Sequence, residues 1–393
     1  MDMKSTTFHP PNFDELMLEG LKDRPTSWPF EHNDATVNAF NHRANQCRLQ
    51  PLLFIRLNET KSWATWPHTL RMLIQDAYRQ EAAYQLLRRR RIEEVLAASR
   101  VLKHPPLLFK GASLAYSLYS QPELRPAVDV DLLIVPNELS RLSRLMKNLG
   151  YCQPYVYRGR LHSNAVVFEK RWGRATLQFD CHWAINNRPL FAGLVTYQEL
   201  AARAIDLRDL KNGRGTNHVD ALYIACLHRV GHNNTSDPLW LYDILHLVRQ
   251  MTTDQREEFV QLVEEKHICQ ICATSLHLAA DAFEDLATRQ LATKIEAVAT
   301  SHEATEIYLC PDRTNYEDVM TRFRSLPSVG MKLKYVQEVV LPRPNYLRRK
   351  YHPRHPRLAM PWLYVRNLFD VTTRYNQIST SHFQGKSSPV TRS

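Results

Sequence analysis

Glycine is unusually scarce in this chain. Its 393 residues include 11 glycines, where average usage would give about 28. Repeated glycine-rich phosphate loops are therefore not expected, because each such loop needs several glycines for its tight turns. A glycine in a suggestive position consequently carries more information here than it would in an ordinary sequence.

A framework of spaced cysteines, long apolar runs and a leader-like N-terminus are also lacking. Seven cysteines, an odd number without framework spacing, indicate free thiols in a reducing compartment. The sequence has no run of ~18 uncharged apolar residues that would predict a membrane-spanning helix. Residues 1–12 contain no apolar segment of the kind that a signal peptide requires. We therefore expect a cytoplasmic protein with no transmembrane segment.

The composition is otherwise that of an ordinary globular protein. Apolar residues make up 44% of the chain and charged residues 23%, close to average usage. A chain of this length can bury a sizeable core without disulfides or a structural metal. At ~150 residues per domain, we expect two or three domains.

Positive charge is concentrated near the C-terminus. The chain has 51 Lys and Arg against 40 Asp and Glu, a net charge of +11. Residues 341–374 carry eight basic residues against one acid, a net charge of +7, and five aromatic residues are interleaved with them: Tyr346, Tyr351, Trp362, Tyr364 and Phe369. Such a segment can bind nucleic acid or an anionic membrane surface, or it can be a solvated element whose rings pack on the body. Its prolines exclude one long helix before residue 361 and predict an extended arm.

A second basic cluster is formed by the four arginines at residues 88–91. They lie in a helical pattern, and Glu93 and Glu94 follow within one helical turn. Ion pairs between helix neighbours account for the cluster, so we predict a solvated helix face.

Apolar periodicity divides the chain into four regions. We predict an N-terminal helical region (1–100), an α/β core (101–190), a helical domain (191–330), and a basic C-terminal arm with a tail (331–393). The first region is expected to be irregular to residue 35, and then helical over 35–49 and 69–99. Residues 197–305 are expected to be helical throughout. The last residues, from 376, are rich in Ser, Thr, Gln and Asn and are predicted to be disordered.

Residues 105–183 differ from their surroundings. Short apolar runs, turn residues and one amphipathic stretch predict the order β-α-β-α-β-β, with a hairpin loop at residues 170–174 around Gly173. The strands are predicted at 107–109, 130–135, 165–169 and 175–182, and the helices at 113–119 and 138–149. This pattern is typical of an α/β or α+β core of roughly 80 residues.

The most informative triplet is Asp129-Val130-Asp131, at the start of the second predicted strand. Side chains at i and i+2 of a strand point to the same face, so two carboxylates would lie side by side next to a buried apolar run. Their repulsion would keep one of them protonated unless a cation neutralised it. Mg²⁺ prefers such oxygen ligands, although an Asp-x-Asp triplet alone is a weak signal.

Two neighbouring features strengthen the metal interpretation. Gly111 lies between a predicted strand and a helix start, where free N–H groups favour phosphate oxygens. Asp180 alternates with Phe179 and Cys181 in another strand, so that Gln178, Asp180 and His182 share one face. A third carboxylate there would complete a two-metal site for in-line phosphoryl chemistry.

At this point the sequence resembles a known family. The motifs that carry the resemblance are residues 107–114 (LLFKGASL), Tyr119, Arg125-Pro126, residues 129–135 (DVDLLIV), residues 180–183 (DCHW), Leu227-His228, His232, residues 240–244 (WLYDI), and Leu341-Pro342 with Tyr346. Together they resemble the uncharacterised bacterial nucleotidyltransferase family of the polymerase-beta-like superfamily. The resemblance covers most of residues ~45–370.

The resemblance implies a fold, an activity and a set of site residues. The fold class would be α+β, with a small mixed-sheet nucleotidyltransferase core between helical regions. The activity would be Mg²⁺- or Mn²⁺-dependent transfer of a nucleotidyl group from an NTP. Asp129 and Asp131 would hold both metals and the triphosphate, and Asp180 would hold the catalytic metal and help to deprotonate the acceptor hydroxyl. Gly111 and Ser113 would form the phosphate-contacting turn.

One position departs from the family pattern. The usual Gly-Ser or Gly-Gly pair is here Gly111-Ala112, with Ser113 one place later. The N–H of Ala112 preserves a backbone cradle, whereas the family pattern does not extend to a hydroxyl contact from Ser113.

Two basic residues near this turn have alternative roles. Lys110 either neutralises phosphates or is a solvated lysine at the strand end. Arg125 either grips the triphosphate or pairs with the aspartates to hold the loop. Both are included in the predicted nucleotide-binding set.

The helical domain contributes further candidates. His228 and His232 are one helical turn apart, and the resemblance suggests that they face the cleft; packing or capping is the alternative. Arg229 stands where a zinc protease would have its Glu, which argues against zinc hydrolysis. Asp243 lies in an apolar helix and either pairs with an Arg or His or reaches the acceptor.

The cysteines are not predicted to act chemically. Cys181 and His182 are strand neighbours on opposite faces, so they cannot form a nucleophile dyad. Cys269 and Cys272 with His267 have metal-like spacing but no second ligand pair, and a small apolar helix face is expected.

Taken together, these features favour a nucleotidyltransferase that uses two metal ions and an unidentified hydroxyl acceptor: a small molecule, glycan, protein or RNA. The alternative from another class is a nucleic-acid-binding or scaffolding protein with an inactive core. The presence of all three aspartates disfavours that alternative.

Overall fold

A computed structural model describes residues 12–154, 159, 161, 163–173, 175–300, 302–310, 315–353 and 359–372. The strands are β1 Leu107–Leu108, β2 Val130–Leu133, β3 Ala165–Trp172, β4 Ala175–His182, β5 Ile205–Asp206 and β6 Arg214–Gly215. The α-helices are α1 Phe13–Gly20, α2 Asp34–Gln46, α3 Gln50–Glu59, α4 His68–Ala98, α5 Lys110–Ser117, α6 Leu139–Asn148, α7 Pro189–Ala192, α8 Tyr197–Arg203, α9 His218–Gly231, α10 Pro238–Gln250, α11 Thr253–Glu265, α12 Cys269–Phe283, α13 Leu286–Val298, α14 Asn315–Ser325, α15 Val329–Val340, α16 Pro344–Tyr351 and α17 Met360–Thr372.

The sheet is mixed, and its strand order is β3-β4-β2-β1-β6-β5. Strand β2 is parallel to β4 and antiparallel to β1, and β3 and β4 form an antiparallel hairpin. The chain order β1-α5-β2-α6-β3-β4 confirms the predicted β-α-β-α-β-β core, and the α+β fold class is confirmed as well. The third strand is longer than predicted, because pairing continues to Trp172, opposite Ala175.

The two faces of the sheet belong to different apolar clusters. Val130 and Leu132 of β2 pack in one cluster with residues of α4 and α6, whereas Leu133 joins the large cluster of the helical body. Because strand side chains alternate, the side chain of Asp131 lies on the same face of the sheet as that of Leu133. Asp131 is therefore located between the sheet and the helical body.

The predictions for the N-terminal region need two corrections. Residues 13–20 were expected to be irregular but form α1, whose N-terminus is capped by the side chain of Asn12 and whose Leu16 and Met17 are buried. The helix expected over 35–49 ends earlier, because Arg48 adopts a left-handed φ of 59° before α3 begins. A helix as short as α1 is stable only because it packs against the rest of the protein. The polar local sequence gives no sign of that packing.

The helical domain and the arm also differ from expectation. Residues 205–215 were expected to be helical but include β5 and β6, which extend the sheet. The predicted extended arm is wrong for the described residues: α16 begins at Pro344, and α17 has Pro361 as its second residue. Proline is compatible with the first turn of a helix, where the missing N–H would have no partner. The predicted disordered tail from residue 376 lies outside the described residues.

The cysteines and the helix lengths complete the comparison. All seven cysteines are free, and Cys269 and Cys272 are buried in the apolar core, as expected of a small hydrophobic helix face. Among the helices that the structure describes, none combines the length and the apolarity needed to cross a membrane.

Candidate active site

The parallel pairing of β2 with β4 brings the central acidic residues together. Asp131 is in register with Asp180, and Leu133 is in register with His182. One ligand atom from each of Asp131, Asp180 and His182 lies within 4.8 Å of the other two. The sequence predicted His182 only as a possible cleft residue, and the structure groups it with two of the three predicted carboxylates.

Asp131 is the most strongly engaged of these groups. Its Oδ1 atom accepts a 2.8 Å hydrogen bond from Lys110 Nζ and lies 2.8 Å from His182 Nε2. Burial opposes ionisation, but Lys110 and His182 outweigh it and lower the pKa of Asp131. Lys110 therefore pairs with a site carboxylate from the turn; its φ is left-handed, at 51°.

The other two carboxylates are in the opposite electrostatic situation. Burial and the charge of Asp131 raise the pKa of Asp129 to about 6. Burial and the charges of Asp129 and Asp131 raise the pKa of Asp180 to about 7. Asp129 thus belongs to the same acidic group, although it is not among the three residues with the closest ligand atoms. Such a group has more negative charge than Lys110 can balance.

The donor set fits a divalent cation. Burial and the neighbouring Lys110 lower the pKa of His182, so its ring is neutral near pH 7. Its Nδ1 atom is buried and has no hydrogen-bond partner, which is uncommon for a buried polar atom. A neutral imidazole and two carboxylates are ordinary metal ligands.

Arg88 supports the strand that carries these carboxylates. Its Nη2 atom donates to the backbone carbonyls of Ala127 and of Asp129, the latter at 3.0 Å. It is buried, so the predicted solvated face for residues 88–91 is wrong at this position. The loop before β2 has backbone carbonyls that accept hydrogen bonds from a side chain about 40 residues away in sequence. Helix periodicity around Arg88 cannot predict such a distant contact.

Helix α5 begins directly beside the carboxylates. Phe109 is extended and Lys110 opens the helix, so the N–H groups of Gly111, Ala112 and Ser113 lie in its first turn. The first N–H groups of a helix have no intrahelical acceptor and favour phosphate oxygens. A Cβ atom at Gly111 would lie 3.0 Å from Arg125 Nη1, which explains why glycine suits this position.

The hydroxyl of Ser113 points away from the turn. Ser113 is buried, and its Oγ atom lies 3.4 Å from Thr216 Oγ1. A Cβ atom added at Gly215 would be 2.3 Å from the same oxygen. The backbone N–H of Ser113 is therefore the group of this residue that can contact a phosphate, because its hydroxyl lies near Thr216.

This close approach gives a stability prediction. Gly215→Ala should lower the free energy of unfolding by about 1–3 kcal/mol, because the new methyl group overpacks a buried site. The variant that also carries Ser113→Ala should recover more than half of that loss, as measured by urea unfolding. Gly193→Ala is the control, since a Cβ there meets nothing within 4 Å. Equal stability of all three variants would contradict this packing.

Arg125 and Asp243 form a buried network beneath the turn. Arg125 donates to Asp243 through Nε and Nη2, with a shortest distance of 2.7 Å, and Tyr119 donates its hydroxyl to the same carboxylate at 2.7 Å. Arg125 Nη1 donates to Pro126 O. The second alternative for Arg125 was an ion pair with the aspartates of the triplet, but its partner is Asp243. A grip of Arg125 on the triphosphate stays a prediction. Asp243 has the Arg partner that one alternative expected.

Two histidines at the end of α9 form an aromatic cluster with Trp240 of α10. The rings of His228 and His232 are 4.4 Å apart, and both pack against Trp240 at 4.6 and 5.4 Å. Burial and His232 lower the pKa of His228 well below its usual value, and burial and Lys110 lower that of His232 to about 4. Lys110 lowers the pKa of both rings, so they lie within electrostatic range of the residue that pairs with Asp131. His228, His232 and Trp240 are called the ring wall below.

Sequence reasoning missed other basic residues at this cleft. Arg48 is paired with Asp237 at 3.3 Å and lies within electrostatic range of Asp129. Arg188 donates to Asn233 and to the backbone of Gly231 at the end of α9. No local sequence motif identifies either arginine. Each contacts residues that are distant in sequence, so its position depends on how those segments pack.

Comparison with known proteins adds one positive finding. Residues 33–284 match the model of a family described as uncharacterised nucleotidyltransferase. The match includes the sheet, the carboxylates, the ring wall and Asp243, and ends before α13. No curated protein and no solved structure matches the chain.

Proposed function

The chain belongs to the uncharacterised nucleotidyltransferase family, and from that membership we propose that it transfers a nucleoside monophosphate from an NTP to a hydroxyl acceptor. The observation that carries the proposal is the register of Asp131 with Asp180, beside the first turn of α5. This arrangement supports the proposal because carboxylates, which Mg²⁺ prefers as ligands, lie next to N–H groups that favour phosphate oxygens. The sheet supplies the carboxylates, and the first turn of α5 supplies the N–H groups.

The metal-binding residues we propose are Asp129, Asp131, Asp180 and His182. Two divalent ions, Mg²⁺ or Mn²⁺, would neutralise the triphosphate and the charge that develops on the attacking and leaving oxygens. His182 is neutral and has an unused buried nitrogen. The excess negative charge of the acidic group is the physical reason that cations should bind.

The remaining roles belong to side chains and backbone that surround the carboxylates. The N–H groups of Gly111, Ala112 and Ser113 bind phosphate oxygens, and Lys110 adds positive charge at the same turn. Asp180 is less buried than Asp131 and accepts the proton of the acceptor hydroxyl. The ring wall, which is neutral and only partly buried, packs against the nucleoside or the acceptor. Positioning and charge neutralisation supply most of the rate enhancement in such a site.

Direct assay of transfer tests the proposal. The protein is incubated with each of the four α-labelled NTPs and Mg²⁺ or Mn²⁺, alone and with RNA, glycans or cell extract. We expect label on an acceptor and release of pyrophosphate with at least one NTP. If no NTP is consumed and none raises the melting temperature, the nucleic-acid-binding or scaffolding alternative with an inactive core is favoured.

A further inference from the structure

Exposed apolar side chains are concentrated in the C-terminal helices. Among the described residues, sixteen large apolar side chains are exposed, and half of these are found between residues 329 and 369: Val329, Leu333, Val336, Leu341, Trp362, Val365, Leu368 and Phe369. Isolated exposed apolar side chains are normal, but a concentration of them indicates an interaction surface. The family match ends at residue 284, so this surface is separate from the matched region.

Helix α17 has two sides of different character. Leu363 and Asn367 are buried, and Asn367 Nδ2 donates to Val339 O of α15 at 3.0 Å. Trp362 is 59% exposed and Val365 is 67% exposed. These two side chains are three residues apart and therefore neighbours on the outward side of the helix. An apolar row thus lies on the outside of a helix that is already anchored to the body.

The same segment is strongly basic. Residues 329–353 and 359–372 contain seven Lys or Arg against two acids, a net charge of +5. Both acids are engaged: Asp370 accepts from Lys350 and Tyr351, and Glu338 accepts from the N–H of Leu161. Arg366 lies over the ring of Trp362 at 5.3 Å, so a cation accompanies the outward apolar row.

Charge and side-chain type together select the partner. We propose that α16 and α17 dock on an anionic lipid surface, with Trp362 and Val365 inserted among the headgroups and the basic residues next to lipid phosphates. A helix of 13 residues is too short to cross a bilayer and would lie in its plane. A second copy would bring +5 against +5, and RNA would gain little from exposed Val and Leu, which do not stack on bases.

Vesicle co-sedimentation of the full chain tests this proposal. We expect binding to equimolar phosphatidylcholine and phosphatidylglycerol vesicles, little binding to phosphatidylcholine alone, and a steep fall with salt. Trp362→Ser with Val365→Ser should weaken binding at least tenfold. Arg343→Gln with Arg348→Gln should weaken it about fivefold for each charge removed.

A matched control distinguishes insertion of α17 from non-specific hydrophobic binding to vesicles. Leu86→Ser with Val101→Ser removes two exposed apolar side chains elsewhere and should leave vesicle binding unchanged. The melting temperature of each variant establishes that it is folded. Equal binding by the α17 variant and the control would overturn the proposal. Absence of binding to the anionic vesicles would also overturn the proposal. Binding to poly(U) RNA, or a dimer that the α17 variant dissociates, would then identify the partner of this surface.

Discussion

Asp180→Asn is expected to reduce nucleotidyl transfer by about 10³-fold or more, because a metal clamp on the reacting oxygens is worth several kcal/mol. The variant should affect turnover more than NTP binding, since the first turn of α5 and Lys110 remain in place. It should also lose the stabilisation that Mg²⁺ or Mn²⁺ gives to the parent protein. Labelled-NTP assays and thermal melts with and without metal measure these three effects.

The stability of the metal-free variant has a definite sign. Burial and two neighbouring carboxylates raise the pKa of Asp180 to about 7 in the folded protein, well above the ordinary value of an aspartic acid. An ionised Asp180 is therefore unfavourable in the folded state at and above neutral pH, and removing its charge should leave the metal-free protein at least as stable. Asp131 differs, because Asp131→Asn removes the partner of Lys110 and should lower stability.

An exposed carboxylate provides the control for this prediction. Asp206 lies on β5, and its side chain is 95% exposed. Asp206→Asn should change neither transfer nor the metal-induced rise in melting temperature. Full metal-induced stabilisation in Asp180→Asn would show that Asp180 is not a ligand, whatever happened to transfer.

Asp243→Ala is expected to lower the free energy of unfolding by about 3–5 kcal/mol. The substitution leaves the guanidinium of Arg125, which is 5% exposed, without its carboxylate partner. It also removes the acceptor of the Tyr119 hydroxyl. Urea unfolding measures the loss, and Arg125→Met with Asp243→Leu should recover most of it because no buried charge remains.

A surface ion pair gives the comparison. Arg79 and Asp76 are 3.3 Å apart and largely exposed, and Asp76→Ala should cost less than about 1 kcal/mol. If Asp243→Ala were no more destabilising than Asp76→Ala, the network would not stabilise the fold. A role for Asp243 at the acceptor would then be favoured.

Predictions from the sequence succeeded where the signal was local. The alternation of Phe179, Asp180 and Cys181 places Asp180 on one face of its strand, and the structure has that strand beside the one that contains Asp131. The apolar run after Asp129 indicated a buried strand, and β2 is buried. The signal for His182 was also present, since it alternates with Asp180, but alternation alone does not distinguish a metal ligand from a packed imidazole.

Predictions failed where the stabilising partner is distant in sequence. The arginines at 88–91 look alike in a helical pattern, but Arg88 reaches loop carbonyls some 40 residues away, at Ala127 and Asp129. Arg125 and Asp243 are separated by 118 residues. Prolines in the basic segment excluded one long helix, but they do not exclude two short helices that begin with proline.

The sequence by itself therefore determined the chemistry available to this protein: two acids in the Asp129-Val130-Asp131 triplet, a third acid in another strand, one glycine at a helix start, and a basic, aromatic C-terminal segment. Only the tertiary structure decided how those groups are used. It pairs Lys110 with Asp131, buries Arg125 against Asp243, adds His182 to the acidic group and turns Trp362 outward. The physical reason is that periodicity reports which face a side chain occupies, whereas its charge state and partner depend on which distant surface packs against that face.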